Sequence, residues 1–398
     1  MRRIAIAGEI FSPNLGDGLI YDCLSGAFAR NGCVTAPLDL SGRSGWPDNE
    51  QGMDREAHVN LFRRAARVPV RRSLTLRRMI SASRWYGGGR RQSMEAWEEV
   101  IDWADAVVVG GGQLLTDINF GFPPKIYEVV RMARARNKPV AFFGCGVGKS
   151  WGYLATKMYR VAIDYARYVS VRDQVSAENL VKNTRGAAAM HVHPDMAFAV
   201  ANTYRQRAIS CEGNTLGIVF HPPLYFRNFV PTLRDLSNEN YRSFWVRLAR
   251  GACAAGQNVS FITNGDTADY AEASVVVAML ANEGLDVRLK PRAERPEQLV
   301  DQFASISTVI CTRMHAGIIA SGLGKNVIPI ALDPKVTGVW DTVGWASKVQ
   351  APEFLLSLDP WPEVERLIGE GRDKIIDIKN ISERAEAGVM ECIRALRS

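Results

Sequence analysis

No run of apolar residues in this 398-residue chain reaches the ~18 positions that a membrane-crossing helix requires. The apolar stretch behind Arg2 and Arg3, Ile4-Ala5-Ile6-Ala7, is too short for a secretory signal and reads as a first strand. Cysteine occurs seven times (Cys23, Cys33, Cys145, Cys211, Cys253, Cys311, Cys392), an odd and scattered set without a CxxC pair. That argues against a disulfide framework and a structural zinc, and predicts a reducing, cytoplasmic location. There are five histidines, with no HExxH or other metal-ligand spacing, so no metal is expected. No Walker loop, internal repeat or low-complexity tract is present either.

What is present is the composition of a folded globular protein, 47% hydrophobic and 23% charged, in a length that suits two domains. The net charge of +7 is local. From Arg63 to Arg91 stand ten arginines and neither Asp nor Glu, which leaves the rest of the chain net acidic. Pro69 interrupts the face that Arg63, Arg64, Arg67, Arg71 and Arg72 would line, and Gly87-Gly88-Gly89 ends the segment. It reads either as a solvated insertion or as an attractor for an anionic partner, an acidic membrane surface or a diphosphate-linked substrate. Nucleic acid is not expected, because aromatic interleaving is confined to Trp85 and Tyr86.

Short apolar runs alternate with helical patterns, which predicts parallel βαβ layers. In the first half, strands are expected near Ile4–Ala7, Val34–Leu38, Ala106–Val109, Val140–Phe143 and Tyr168–Val171. Helices are expected near 17–30, 125–136, 154–166 and 174–182. Residues 41–95 read as an insertion between the second and third strands. The polar stretch around 201–214 reads as a linker. Behind it the pattern repeats, with strands near 215–220, 258–263, 308–311 and 326–330 and helices near 239–255, 268–283, 296–305 and 314–322. The expected architecture is therefore α/β: two Rossmann-like doubly wound domains, 1–205 and 214–398, in a GT-B-like arrangement with an interdomain cleft. In such sheets ligands lie beyond the carboxyl ends of strands, so the residues that directly follow strands carry the information.

The first strand runs into Asn14-Leu15-Gly16-Asp17. Asp17 either caps the next helix or, with Asn14, faces the cleft to bind a sugar hydroxyl or take its proton. After the third strand, Gly110-Gly111-Gly112-Gln113 either brings backbone close to a ligand or lets two loops cross; it does not complete a dinucleotide fingerprint. Gly144-Cys145-Gly146-Val147-Gly148 follows the fourth strand. At the end of the fifth, Arg172 needs a partner, either a ligand anion or Asp173 or Asp195. The strongest signal is Cys311-Thr312-Arg313-Met314-His315-Ala316-Gly317, between an apolar strand and an apolar helix. Arg and His two apart at such a turn, with a helix N-terminus behind them, suit an anionic substrate. His221 ends the first strand of the second half, Lys335 follows the last strong strand, and His191 and His193 lie on a short strand before Pro194-Asp195.

This ordered set, together with Val171-Arg172-Asp173, Pro194-Asp195-Met196-Ala197-Phe198 and Asp333-Pro334-Lys335-Val336, resembles the motifs of polysaccharide pyruvyltransferases. The similarity runs over about 1–40 and 96–345. Gly18 stands where the family often has an acid, and His221 where it commonly has an arginine. The resemblance implies phosphoenolpyruvate as donor and co-substrate, with no separate cofactor, and a sugar hydroxyl pair as acceptor, free or on a lipid-linked oligosaccharide. It points to donor binding and catalysis by the segment that holds Arg313 and His315. The chemistry of such a donor asks for further cations and polar contacts, for which Arg172, Lys335, His221 and Gly146 are the candidates, and His315 suits the proton traffic. Asn14, Gly112 and Gln113 are the candidate acceptor contacts, and Asp17 is the candidate base for the incoming hydroxyl. The first domain would be the acceptor side and the second the donor side. A lipid-linked acceptor would give the arginine-rich segment a peripheral role at the inner face of the membrane. Two other readings are a nucleotide-sugar-dependent GT-B glycosyltransferase and a non-catalytic scaffold protein; the joint presence of Asp17, Arg313, His315 and Lys335 speaks against the latter.

Overall fold

The apolar runs form parallel ladders buried on both faces, as strands covered by helices on either side must be. The computed structural model describes residues 2–46, 74–186, 190–205, 213–332, 334–373 and 377–397. Two compact units emerge, one made of Met1–Ser12, Ile20–Met196 and Arg384–Ser398, the other of Pro13–Leu19 and Ala197–Glu383.

In the first unit β1 (Arg2–Gly8), β2 (Cys33–Asp39), β3 (Ala106–Gly110), β4 (Val140–Cys145), β5 (Tyr168–Val171) and β6 (His191–Val192) make a parallel sheet of order β2-β1-β3-β4-β5-β6. Helices α1 (Leu15–Arg30), α2 (Leu74–Arg84), α3 (Arg90–Trp103), α4 (Pro123–Ala135), α5 (Tyr153–Tyr165) and α6 (Gln174–Thr184) accompany these strands. In the second unit β7 (Thr215–Val219), β8 (Asn258–Phe261), β9 (Arg288–Leu289), β10 (Thr308–Cys311) and β11 (Asn326–Pro329) are again parallel, in the order β11-β10-β7-β8-β9. Their helices are α7 (Pro223–Phe229), α8 (Asn238–Ala254), α9 (Thr267–Asn282), α10 (Pro296–Ala304), α11 (Met314–Gly322), α12 (Pro334–Thr342) and α13 (Trp361–Asp373). A last helix, α14 (Ile378–Arg397), ends the chain. Each sheet reverses its direction of growth once: β1 and β3 flank that switch in the first, β7 and β10 in the second. In open α/β sheets the crevice outside the strand ends opens at such a switch.

Two features differ from the sequence expectation. The contiguous division at 205 and 214 does not match the units at either end of the chain. Pro13–Leu19 groups with the second unit, and from Arg384 onward α14 groups with the first. The reason for the latter is an apolar stripe at helical spacing, Ala385, Val389, Cys392, Ile393 and Leu396, all buried. Gly388 brings this helix close to the sheet, since a Cβ there would lie 2.6 Å from His193 Cγ. Arg30 and Glu386 pair at 2.6 Å, and Arg2 Nη2 donates to the Leu396 carbonyl at 2.5 Å.

The second difference concerns the presumed insertion 41–95, which is helical from Leu74 onward and built into the first core. Trp85 and Trp97 are buried with ring centroids 5.9 Å apart, and Trp97 Nε1 donates to the Asp39 carbonyl at 2.7 Å. A buried indole N–H needs such a partner.

Candidate functional site

The chain leaves the two switch-point strands of the second unit through Phe220-His221 and Thr312-Arg313. Thr312 N donates to the Val219 carbonyl at 2.9 Å, extending the β7–β10 ladder by one residue. The Thr312 hydroxyl oxygen then accepts from His221 N at 2.9 Å and lies 3.0 Å from Nδ1 of the same ring. This fits a hydroxyl that donates its own proton to Nδ1. The His221 carbonyl accepts from the Tyr241 hydroxyl. Burial, with Arg313 close by, pushes the His221 imidazole well below its ordinary pKa, so the ring is neutral near pH 7.

Arg313 occupies the N-cap position of α11 without capping it by its side chain. Its Nη2 donates to Asp269 Oδ1 at 2.5 Å, Asp266 lies 3.9 Å away, and the guanidinium carbon stands 5.5 Å from the centre of the Tyr225 ring. Its Nε is buried and makes no hydrogen bond. Asp269 is fully buried on α9, where Asp266 caps the helix by accepting from Ala268 N at 2.8 Å. Burial pushes the Asp269 carboxyl up to about 6, and Arg313 pulls against that. Burial likewise opposes the charge on Arg313, but the Asp269 carboxylate outweighs it and keeps the guanidinium charged. A buried pair of this kind is costly to break from one side, because the remaining charge is stranded.

His315 is buried in the first turn of α11. Its ring lies against Gly16, where a Cβ would fall 2.7 Å from His315 Cβ and 3.0 Å from Nδ1. The segment around Gly16 is docked in turn: Leu15 N donates to the Asn264 carbonyl, just beyond β8, at 2.9 Å. Gly265, at φ +93°, allows the approach, since a Cβ there would lie 2.6 Å from the Pro13 carbonyl oxygen. Asn14 Nδ2 donates to Asp17 Oδ2 at 3.1 Å, and Asp17 N to the Asn14 carbonyl at 3.1 Å. Because α1 begins at Leu15, Asp17 lies within its first turn and is not the N-cap. The second unit therefore holds Asn14, Asp17, His221, Arg313 and His315 together, around the positive end of α11.

The other expected residues form a separate cluster within the first unit. Arg172 is almost wholly buried, with Nε donating to Asp173 at 3.3 Å, Nη2 donating to Gln113 Oε1 at 3.0 Å and Nη1 3.5 Å from Asp195. A Cβ at Gly146 would lie 2.9 Å from the guanidinium carbon, so this glycine makes room for the arginine. Asp173 also caps α6 by accepting from Ser176 N at 2.6 Å. Gly112 accepts from Gly146 N at 2.8 Å, and the Gly146 carbonyl accepts from Leu115 N at 3.1 Å. The two glycine-rich loops thus cross each other, and Arg172 has the partners that the acids beside it supply.

A family model for polysaccharide pyruvyl transferase matches residues 14–334, beginning at Asn14 and running past the Arg313–His315 turn. The chain belongs to the polysaccharide pyruvyl transferase family. It is accordingly a transferase. No curated protein matches it by sequence. Among solved structures, the UDP-GlcNAc 2-epimerase of Neisseria meningitidis bound to UDP-GlcNAc is 11% identical with a TM-score of 0.55, over 99% of this chain and 100% of that one. The UDP-N-acetylglucosamine 2-epimerase of Rickettsia bellii is 10% identical with a TM-score of 0.53, over 99% and 96%. At this identity the likeness is one of fold, the GT-B type with two Rossmann-like domains.

Against that family pattern, Lys335 falls on α12, with its side chain outside the described residues. Arg63 to Arg72 of the basic segment lie outside them as well. Arg78 and Arg90 are engaged by Asp117 at 2.6 Å and Glu128 at 3.0 Å, which leaves less free charge in this segment than the composition implies. Sequence reasoning missed Asp269, Tyr225 and Asn264, and gave Thr312 no role of its own. Asn264 follows β8 much as Arg313 follows β10, so the strand-end rule applied to every strand would have reached it, whereas Asp269 lies further on, within α9.

Proposed function

We propose that this pyruvyl transferase moves the enolpyruvyl group of phosphoenolpyruvate onto two hydroxyls of a saccharide, giving a pyruvate ketal and inorganic phosphate. The observation that carries the reading is the gathering of Arg313, His315 and Asp17 within one unit, around the N-terminus of α11 at the β7–β10 switch point. The donor is a phosphate and a carboxylate on one small carbon frame. A fixed guanidinium and a helix N-terminus are the groups that bind such an anion. Asp269 and Tyr225 hold Arg313 in place for it.

In this scheme His315 delivers a proton to C3 of the enol, and C2 becomes oxocarbenium-like. One saccharide hydroxyl adds to C2 and loses its proton to Asp17. The second hydroxyl then attacks C2, the C2–O bond to phosphate breaks, and its proton leaves through the same acid–base pair. Positioned proton transfer of this kind contributes on the order of 10²–10⁴ in rate. The second unit is the donor side. Asn14 and Asp17, which meet the acceptor hydroxyl in this scheme, belong to that same unit, and within the first unit Arg172 fixes Gln113. The acceptor is a free or lipid-linked saccharide in polysaccharide or cell-wall glycan synthesis. A peripheral membrane contact would fall to the arginine-rich segment Arg63–Arg91.

The test is inorganic phosphate release from phosphoenolpyruvate that depends on added saccharide. One observation favours a second reading, a nucleotide-sugar enzyme: the fold is shared with an epimerase bound to UDP-GlcNAc. Thermal-shift protection separates the two. Stabilisation by phosphoenolpyruvate and not by UDP supports the pyruvyl transfer reading, and the reverse pattern favours the second.

A further inference from the structure

β6 is an edge strand of the first sheet, and its alternation puts His191 and His193 on one face. On α14, Glu391 stands three residues beyond Gly388, and so on the same side of the helix that Gly388 brings against His193. Its Oε2 lies 3.4 Å from His191 Nδ1 and 3.4 Å from His193 Nε2. The two imidazoles are nearly parallel, with centroids 5.9 Å apart and 8° between their planes. All three candidate ligand atoms lie within 4.8 Å of one another. The His191 and Glu391 side chains are 48% and 39% exposed, so the cluster opens to solvent.

The spacing is informative. A charge-assisted N–H···O bond is about 2.7–2.9 Å long, and a carboxylate paired with one imidazole would close to that. Here a single oxygen stands off from two ring nitrogens equally. A tetrahedral zinc ion with bonds of about 2.0–2.1 Å holds its ligand atoms roughly 3.3–3.5 Å apart. Both N···O separations fall in that range, while the two ring nitrogens, within 4.8 Å of each other, would draw together on the ion as the half-exposed His191 ring turns. The rings are also held by packing. Tyr168 stacks on His191 at 4.8 Å and Phe143 on His193 at 6.1 Å. The Tyr168 hydroxyl lies 2.7 Å from His193 Nε2 and 3.4 Å from Glu391 Oε2. A small turn of this hydroxyl toward the carboxylate frees the nitrogen and gives the ligating oxygen an outer hydrogen bond, the kind of support that tunes metal sites.

We propose that His191, His193 and Glu391 form a divalent transition-metal site, zinc by its ligand types, with its remaining position open to solvent, that fastens α14 to the edge of the first sheet. This departs from the expectation of no metal site. A lone H-x-H on a strand is no signature, and its third ligand arrives from the far end of the chain, where no sequence spacing reveals it.

The test uses the full-length protein, freed of metal by a chelator and titrated with Co²⁺ alone. Visible d–d absorption saturating at one Co²⁺ per chain, reversed by Zn²⁺, together with a Zn²⁺-dependent rise in Tm, is the expected result. His191→Ala, at a half-exposed position, and Glu391→Gln, which keeps a hydrogen-bonding group, should each weaken Co²⁺ binding at least about tenfold and abolish the Tm rise. A wild-type protein that takes up no stoichiometric Co²⁺ overturns the site. So does either variant that binds Co²⁺ like the wild type.

Discussion

His315 lies against a position that has no side chain, and this contact yields two predictions at the scale of single residues. His315→Asn should abolish transfer while the circular dichroism and Tm stay close to wild type, since the ring and not the fold carries the proton. Near-native turnover would remove His315 from the mechanism. Gly16→Ala places a Cβ 2.7 Å from His315 Cβ, closer than such atoms approach, so the ring or the Asn14–Asp17 turn must move. A fall in kcat of tenfold or more is expected, equivalent to about 1.4 kcal/mol. Gly45→Ala, with nothing within 4 Å of the added atom, should leave kcat unchanged. His221 gives a pH prediction. Its folded-state pKa is depressed by burial and by Arg313. Its stabilising share is therefore present above the unfolded value near 6.5 and lost as pH falls below it, by on the order of 1 kcal/mol per pH unit. Denaturant unfolding at pH 7.5 and 5.5 should show a smaller acid-side loss in His221→Gln than in the wild type; equal losses would contradict it. Arg313 and His221 were legible in the sequence because each lies just beyond a buried strand, and His315 because it shares the Arg313 turn at the head of an apolar helix. The Arg313–Asp269 pair was not, since its halves come from elements whose proximity only the fold creates. At Arg172 both outcomes were visible, and the neighbouring acids turned out to be its partners.

At the scale of elements, β5 and β10 occupy the spans expected of them, because a buried apolar run ends at a charged or hydroxyl residue in each case. β9 escaped notice: it is two residues, Arg288 and Leu289, on a sheet edge, with no apolar run to mark it. The helices of 74–103 were obscured by arginines that suggested a solvated segment, although Trp85 and Trp97 carry its burial. The apolar stripe of α14 is readable as a helix, but the unit that it completes is a long-range fact. That placement is testable at Leu396, which is fully buried two positions from the end of the chain. A free tail would tolerate Leu396→Ala. The packing described here predicts a loss of about 2–5 kcal/mol in unfolding free energy. A Tm within a degree of wild type would show that α14 does not belong to the first core.

At the scale of the whole molecule, the same parallel α/β architecture occurs twice, and each sheet has one switch point. Family membership makes the chain a transferase of the polysaccharide pyruvyl transferase type, and the arrangement at the β7–β10 switch is what the proposed donor chemistry needs. The most direct test of that proposal is mass spectrometry of saccharide acceptors incubated with the protein and phosphoenolpyruvate. The expected product has gained one pyruvate less one water, with one inorganic phosphate released per acceptor modified, and forms with the wild type but not with His315→Asn. An unmodified acceptor across a broad saccharide panel, with sugar transfer from a UDP-sugar in its place, would contradict the account.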